Sequence, residues 1–339
     1  MQDQKYVAIK DIAKACGVST TTVSLALRNH PRISEDTRKR ISETAERMNY
    51  RRNPMISALM TNLYQSRKFP SAVPLAVLYT HELSLIEENS YHQKLWQGMS
   101  NRAEELGFKL EKFCLNRKIT GKRMTQILTA RGINGVIIPP LLRAGGHLSL
   151  DWEQFSVLAL GYSLLSPNFH RVCPNQYQGI RTVMRQLKHV GFSRPGMVLM
   201  NESDLRTAHL WSSGFYGFEH AVKKTGIIPV LEYVNSDKGT VMEWYRKYTP
   251  DVIIGSEPDV LELFRSAGLK IPEEVGFVTL SRWSSENSIA GIDENEEMLG
   301  RAAIEQLVHL VYYNQRGCPE CPYVIQVPCK WGAGITIRK

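Results

Sequence analysis

Residues 9–27, IKDIAKACGVSTTTVSLAL, decide how the rest of the chain is understood. Ile9, Ile12 and Ala13 share one face of a helix running to about Cys16, and Gly17 stands where a left-handed residue ends a helix. Val18 is expected in the buried turn. Ser19 suits an N-cap, because its hydroxyl can accept from an orphan backbone N–H, and Val23, Ala26 and Leu27 give a second helix its apolar face. Helix, glycine turn and helix form a helix-turn-helix, whose second helix enters the DNA major groove. By itself the pattern also fits any small αα corner.

The flanking residues narrow the choice. ISEDTR, residues 33–38, starts a third helix with Ser34 as cap and two carboxylates in its first turn, and Ile41, Ala45 and Met48 supply its apolar stripe. Three helices can then close one small core. IKDIAKACGVSTTTVS, ISEDTRK and MNYRRNP, at these spacings and without a gap through Met60, closely resemble the lactose/galactose repressor (LacI/GalR) family. The resemblance implies a helix-turn-helix domain over residues 1–52, a hinge helix over 53–66 and a two-lobed, periplasmic-binding-protein-like sensor over 73–339. It implies DNA contacts from Ile9, Ser19, Thr20, Thr21, Thr22, Leu25, Arg28, Thr37, Tyr50, Arg51, Arg52 and Asn53. Leu25 departs from the Arg usual at its position.

Charge agrees with a polyanionic partner. Of the net +9, residues 1–70 hold 13 Lys/Arg against 6 Asp/Glu, and residues 71–339 hold 29 against 27. Such a basic end is the footprint of double-stranded DNA, where bound cations release condensed counterions. A membrane surface could use the same charge, but no long apolar run, signal segment or lipidation motif is present, so the cytoplasm is the expected compartment. The six cysteines are scattered through a chain that folds without staples, and free thiols are expected. Cys318 and Cys321 form a single CxxC without a second pair, a weak basis for a metal site. No cofactor is expected.

Pro54 after Asn53 reads as N1 after an N-cap, opening a short helix, PMISALMTNLY, with a broad apolar face. In the family this is the hinge helix, and Leu59 by position is the residue pushed between bases in the minor groove. An apolar wedge beside Arg51 and Arg52 is what minor-groove kinking needs.

Beyond a polar stretch at 65–73, short buried strands alternate with helices. Strands are expected at 75–79, 109–115, 135–138, 157–160, 197–200, 230–234, 252–254 and 275–280, with a last one at 323–327. Helices are expected at 92–106, 122–131, 176–190, 210–225, 240–248, 259–267 and 296–313. Such alternation gives an α/β fold with parallel sheets covered on both faces. Some 265 residues exceed one comfortable sheet, and two lobes are expected. The resemblance puts the three crossovers near 192, 291 and 319, so that one lobe holds 73–192 and 292–318 and the other 193–290 and 319–339. No heptad-bearing helix follows the expected last strand, which favours a homodimer over a tetramer.

No nucleophile elbow, Walker loop or metal-spaced histidine cluster stands out, so no enzyme is expected. Open α/β sheets bind ligands at the carboxyl ends of their strands, which singles out Thr80, His81, Tyr162, Glu257, Ser281, Arg282 and Trp283. Resemblance adds Tyr91, His92, Asn175, Trp211 and Glu294 as effector contacts. Trp211 stands where the family commonly has an effector-gripping Arg, and Ser281 where it has Asp. These residues together imply an operator-binding regulator answering to a small molecule, a sugar or sugar derivative among the candidates. A solute-binding or sugar-processing protein on the same two-lobed fold is the alternative.

Overall fold

The structure, a computed structural model, describes residues 7, 9–27, 32–48, 50, 73–84, 89–116, 119–222, 226–234, 238–256, 258–282 and 288–338. The expected hinge helix with Leu59, together with Arg28, Arg51, Arg52, Asn53, Glu257 and Trp283, lies outside them.

The N-terminal unit comprises α1 (Ile9–Cys16), α2 (Thr20–Ala26) and α3 (Glu35–Arg47). Gly17 takes φ +64°, and Ser19 caps α2 by accepting from the Thr22 N–H at 3.0 Å. Ser34 sits at the N-cap of α3, but its hydroxyl donates to Thr37 Oγ1 at 2.8 Å and not to a backbone group. Ile12, Val23 and Ile41, one from each helix, are fully buried and form a core with Ala13, Ala26 and Ala45. Periodicity placed these residues because a three-helix unit this small has only one interior.

The rest is a two-lobed α/β body. The first lobe's sheet runs β13-β7-β5-β3-β1-β2, built from β1 (Val73–Tyr79), β2 (Phe108–Cys114), β3 (Gly135–Ile138), β5 (Ser156–Leu160), β7 (Arg171–Pro174) and β13 (Val324–Val327). A two-residue β4 (Gly146–His147) pairs with β6 (Leu164–Ser166) at its rim. Along β1 the side chains alternate between two cores: Leu75, Val77 and Tyr79 meet α4 (Ser90–Glu105), while Ala76 and Leu78 meet α5 (Gly121–Ala130). Burial on both faces is why this strand reads as an unbroken apolar run.

The second sheet runs β14-β12-β11-β10-β8-β9, from β8 (Pro195–Met200), β9 (Leu231–Tyr233), β10 (Val252–Gly255), β11 (Gly276–Thr279), β12 (Gly291–Asp293) and β14 (Lys330–Gly332). Its helices are α6 (Gln176–Val190), the short α7 (Asn201–Arg206), α8 (Leu210–Val222), α9 (Lys238–Tyr248) and α10 (Pro258–Ser266), and α11 (Glu296–Tyr312) returns to the first lobe. All pairings are parallel except β14, which runs antiparallel to β12.

Two of the three crossovers differ from the expected places. The chain first crosses at Asn175, not near 192, because Ile180, Val183, Met184 and Leu187 of α6 pack in the second lobe against Trp211 and Phe215. It returns at Glu294 and Asn295, since β12 pairs inside the second sheet. It crosses finally at Pro328 and Cys329, not near 319, because β13 pairs with β7 of the first lobe. An amphipathic stripe says that a helix is covered without saying by which sheet. The expected last strand is followed by β14. All six cysteines are free thiols.

Candidate functional site

Two surfaces concentrate the residues singled out from the sequence. On the N-terminal unit, Thr20 and Thr21 are exposed at the head of α2, whose Val23 and Ala26 are buried. Ser19 and Thr22 are spent locally, their hydroxyls 2.8 Å apart, and Leu25 is half-buried. Ile9 and Tyr50 pack on the three-helix core, and Thr37 holds the Ser34 hydroxyl. A helix N-terminus presenting short polar side chains suits the floor of a major groove, where hydroxyls reach base edges at close approach.

The second surface is a cleft of ≈ 150 Å³ between the lobes, at the carboxyl ends of both sheets. The first lobe supplies Tyr91 and His92 from the head of α4 and Tyr162 after β5; the second supplies Trp211 at the start of α8 and Ser281 after β11. Glu294, on the returning crossover, forms part of the floor. Asn89 caps α4 by accepting from the N–H groups of Tyr91 (3.0 Å) and His92 (3.3 Å), which fixes both side chains at the rim.

Four expected contacts are placed differently. His81 packs its ring 6.1 Å from that of His92, behind the lining, and Thr80 is half-buried at the end of β1. Asn175 is spent as the cap of α6, accepting from the Gln178 N–H at 3.0 Å. The guanidinium of Arg282 lies over Gly332 of β14, away from the cleft.

Among the lining residues that were missed, Gln176 and Arg206 bear most on the chemistry. Gln176, beside the capping Asn175, is buried and donates from Nε2 to Glu294 Oε1 at 3.2 Å. Arg206 closes α7 and also lines the cleft. It lies six residues beyond the end of β8, and a lone cation between a strand end and the next expected helix was the available signal. Asp204 braces this turn. Buried and on α7, it accepts from the Ser212 hydroxyl at 2.7 Å and pairs with His209 Nδ1 at 2.8 Å, across Ala208 and His209 in left-handed conformation. With Glu232 these groups are a possible cation cluster, but the buried carboxylate is already occupied as the brace.

Electrostatics in the cleft favour neutral groups. Burial, then the neighbouring His81 and Arg206, lowers His92 to about 4, and burial with Arg206 lowers His81. Burial, then Glu296, raises Glu294 to about 7, while its bond from Gln176 and the charge of Arg206 pull the other way. The Tyr91 hydroxyl is raised well above its usual range, mainly by burial and Glu294. Several polar atoms here have no hydrogen-bond partner among the described residues: Arg206 Nε, His92 Nδ1, His81 Nδ1, Gln176 Oε1 and Ser281 Oγ. Buried polar groups are ordinarily paired, so such a concentration marks a place built to receive something.

A helix-turn-helix unit ahead of a two-lobed α/β body with a polar interlobe cleft defines a class, the transcription regulators with a ligand-sensing domain. Comparison with known proteins narrows it. Residues 8–53 match the model of bacterial regulatory proteins of the lacI family, and residues 75–332 that of periplasmic binding proteins and the sugar-binding domain of the LacI family. The HTH-type transcriptional regulator YkvZ of Bacillus subtilis is 34% identical over 147 residues, 43% of this chain and 41% of that protein. The chain thus spans less than half the length of that relative. Among solved structures, the regulator CelR in complex with cellobiose has a TM-score of 0.60 at 15% identity, covering 97% of this chain and 99% of CelR. The lac repressor dimer bound to operator and the anti-inducer ONPF has a TM-score of 0.57 at 17% identity, covering 98% and 99%. The chain belongs to the LacI family of bacterial regulatory proteins.

Proposed function

We propose that the protein is a homodimeric regulator that binds a pseudo-palindromic operator through α2 and adjusts its operator affinity to a small-molecule effector held between the lobes. The observation that carries this is the cleft itself. Its lining is drawn from both lobes and from a crossover, so an occupant touches every part whose movement changes the lobes' relation. The N-terminal unit supports the other half, with exposed Thr20 and Thr21 on a capped α2 and a basic composition around them. One α2 reads one half-site, and a dimer reads two. Leu59 and its neighbours Arg51 and Arg52 are then the hinge elements that wedge the minor groove and hold phosphates.

The cleft serves binding and not turnover. No nucleophile paired with a base lines it among the described residues. No helix among the described residues is long and apolar enough to cross a membrane, which accords with work at cytoplasmic DNA. A sugar or sugar derivative is the effector class suggested by the CelR complex with cellobiose.

The test is a mobility-shift selection on randomised DNA, repeated with small metabolites. Specific binding to a two-fold-symmetric site, altered by one metabolite, is expected. Trp211→Ala should abolish the metabolite response and leave effector-free operator affinity within about threefold, under 1 kcal/mol. Absence of any sequence preference rejects the proposal.

A further inference from the structure

The cleft contains a cation with no ion-pair partner among the described residues. Arg206 Nε is buried without a hydrogen-bond partner, and no carboxylate lies within ion-pair distance of its guanidinium among the described residues. The Asp204 brace holds the α7–α8 turn that carries it, so the group is placed before any ligand arrives. Its charge reaches His81, Tyr91, His92 and Glu294, all in or just behind the cleft. A partly desolvated guanidinium without a counter-ion is unfavourable, and its planar fork suits a carboxylate in two parallel hydrogen bonds.

The other unspent groups describe the rest of the occupant. His92, 9% exposed, and Gln176, 3% exposed, offer Nδ1 and Oε1, and Ser281 offers its hydroxyl. These are spread over both lobes, so the occupant carries several hydroxyls and not one polar end. Trp211 and Tyr162 provide the apolar wall. The cation count limits the charge: with Arg206 the one Arg among the described lining residues, a phosphate dianion is left under-compensated, whereas a monoanion matches it one to one.

We propose that the effector is a small polyhydroxylated carboxylate, a sugar acid, whose carboxylate pairs with Arg206 while Trp211 covers its apolar face. This rests on the cleft being the effector site. Arg206 takes the role of gripping cation from the position occupied by Trp211.

Thermal-shift and calorimetric titration of the full chain tests it. The probes are D-glucuronate, D-galacturonate and D-gluconate, each set beside neutral D-glucose or D-galactose and beside D-glucose 6-phosphate. At saturating concentration at least one acid should raise Tm by about 4 °C or more, and its neutral parent and the phosphate ester should not. In Arg206→Gln the acid's affinity should fall at least about tenfold, and Arg206→Lys should recover only part. Stabilisation by a neutral sugar or phosphate ester equal to that by the acid overturns the assignment, as does an acid that binds Arg206→Gln unchanged, or no response to any acid. Each of those results leaves operator recognition standing. A wild-type chain without sequence preference in the mobility shift is the separate failure of the broader proposal.

Discussion

Leu25 lies in α2 one turn beyond the exposed threonines, where the family resemblance puts an Arg. A Leu packs on a thymine methyl and cannot form the bidentate contact that an Arg makes with guanine O6 and N7. Leu25→Arg should therefore shift preference toward guanine at one symmetric pair of operator positions, read by selection from a randomised site; an unchanged preference removes Leu25 from the contact surface. Glu294 sets a pH dependence. Its carboxyl has an ordinary value of 4.5 and is raised to about 7 in the folded chain, so its stability contribution is full below about 4.5 and is lost as pH rises to about 7. His92 works oppositely: lowered from 6.5 to about 4, it contributes stability above 6.5 that is lost as pH falls toward 4. The two slopes oppose each other over most of the acid range, which isolates Glu294 only by substitution. The Tm of Glu294→Gln minus that of wild type should rise between about pH 5 and pH 8, reflecting a difference on the order of 3 kcal/mol. A pH-independent difference would mean that the carboxyl titrates normally.

At the scale of elements, the cleft floor depends on how closely two helices approach. α4 and α11 cross at glycines: a Cβ on Gly98 would overlap the Glu297 carbonyl oxygen, and one on Gly300 would overlap the backbone of Leu95 and Met99. These obstacles are backbone, which cannot rotate aside. α4 carries Tyr91 and His92 at its head, and α11 begins two residues after Glu294, so the crossing also sets their separation. Gly98→Ala should cost about 1–3 kcal/mol by forcing the helices apart, visible as a lower Tm with weakened effector response. Unaltered Tm would show that the helices separate freely.

For the whole molecule, the relation between lobes is what an effector must change. Across the cleft mouth, Glu202 of α7 accepts from the Ala144 N–H of the first lobe at 2.5 Å, a contact that closing makes and opening breaks. Hydrogen bonds to a charged group contribute about 1.5–3 kcal/mol when well made. Glu202→Ala should populate a more open form, raising the radius of gyration in solution scattering and weakening effector binding about three- to tenfold. Identical scattering and affinity would show that the three crossovers alone hold the lobes. Those crossovers are bonded to one another: Asn175 N–H donates to Val327 O at 2.8 Å, and Gln176 reaches Glu294.

The three-helix unit was legible in residues 9–48 because its signals are local. Gly17 supplies a left-handed turn, Ser19 a cap, and a period of 3.6 places Ile12, Val23 and Ile41 inside. Most strands of the body were legible too, as short apolar runs, but β4, β6, β7, β12 and β14 were not expected. Partnership was not legible. That α6 belongs to the second lobe, that β13 belongs to the first, and that β14 reverses direction are decided by contacts between segments far apart in the chain. The cleft followed this division. Tyr91, Tyr162, Trp211, Ser281 and Glu294 line it from strand ends, helix heads and a crossover, where topology and resemblance pointed. Arg206 and Gln176 were hidden, since neither its residue type nor its spacing marks a charge or an amide as unpartnered. Only the folded chain decides which polar atoms its own neighbours satisfy, because pairing is a property of the space between elements and not of the order of residues along them.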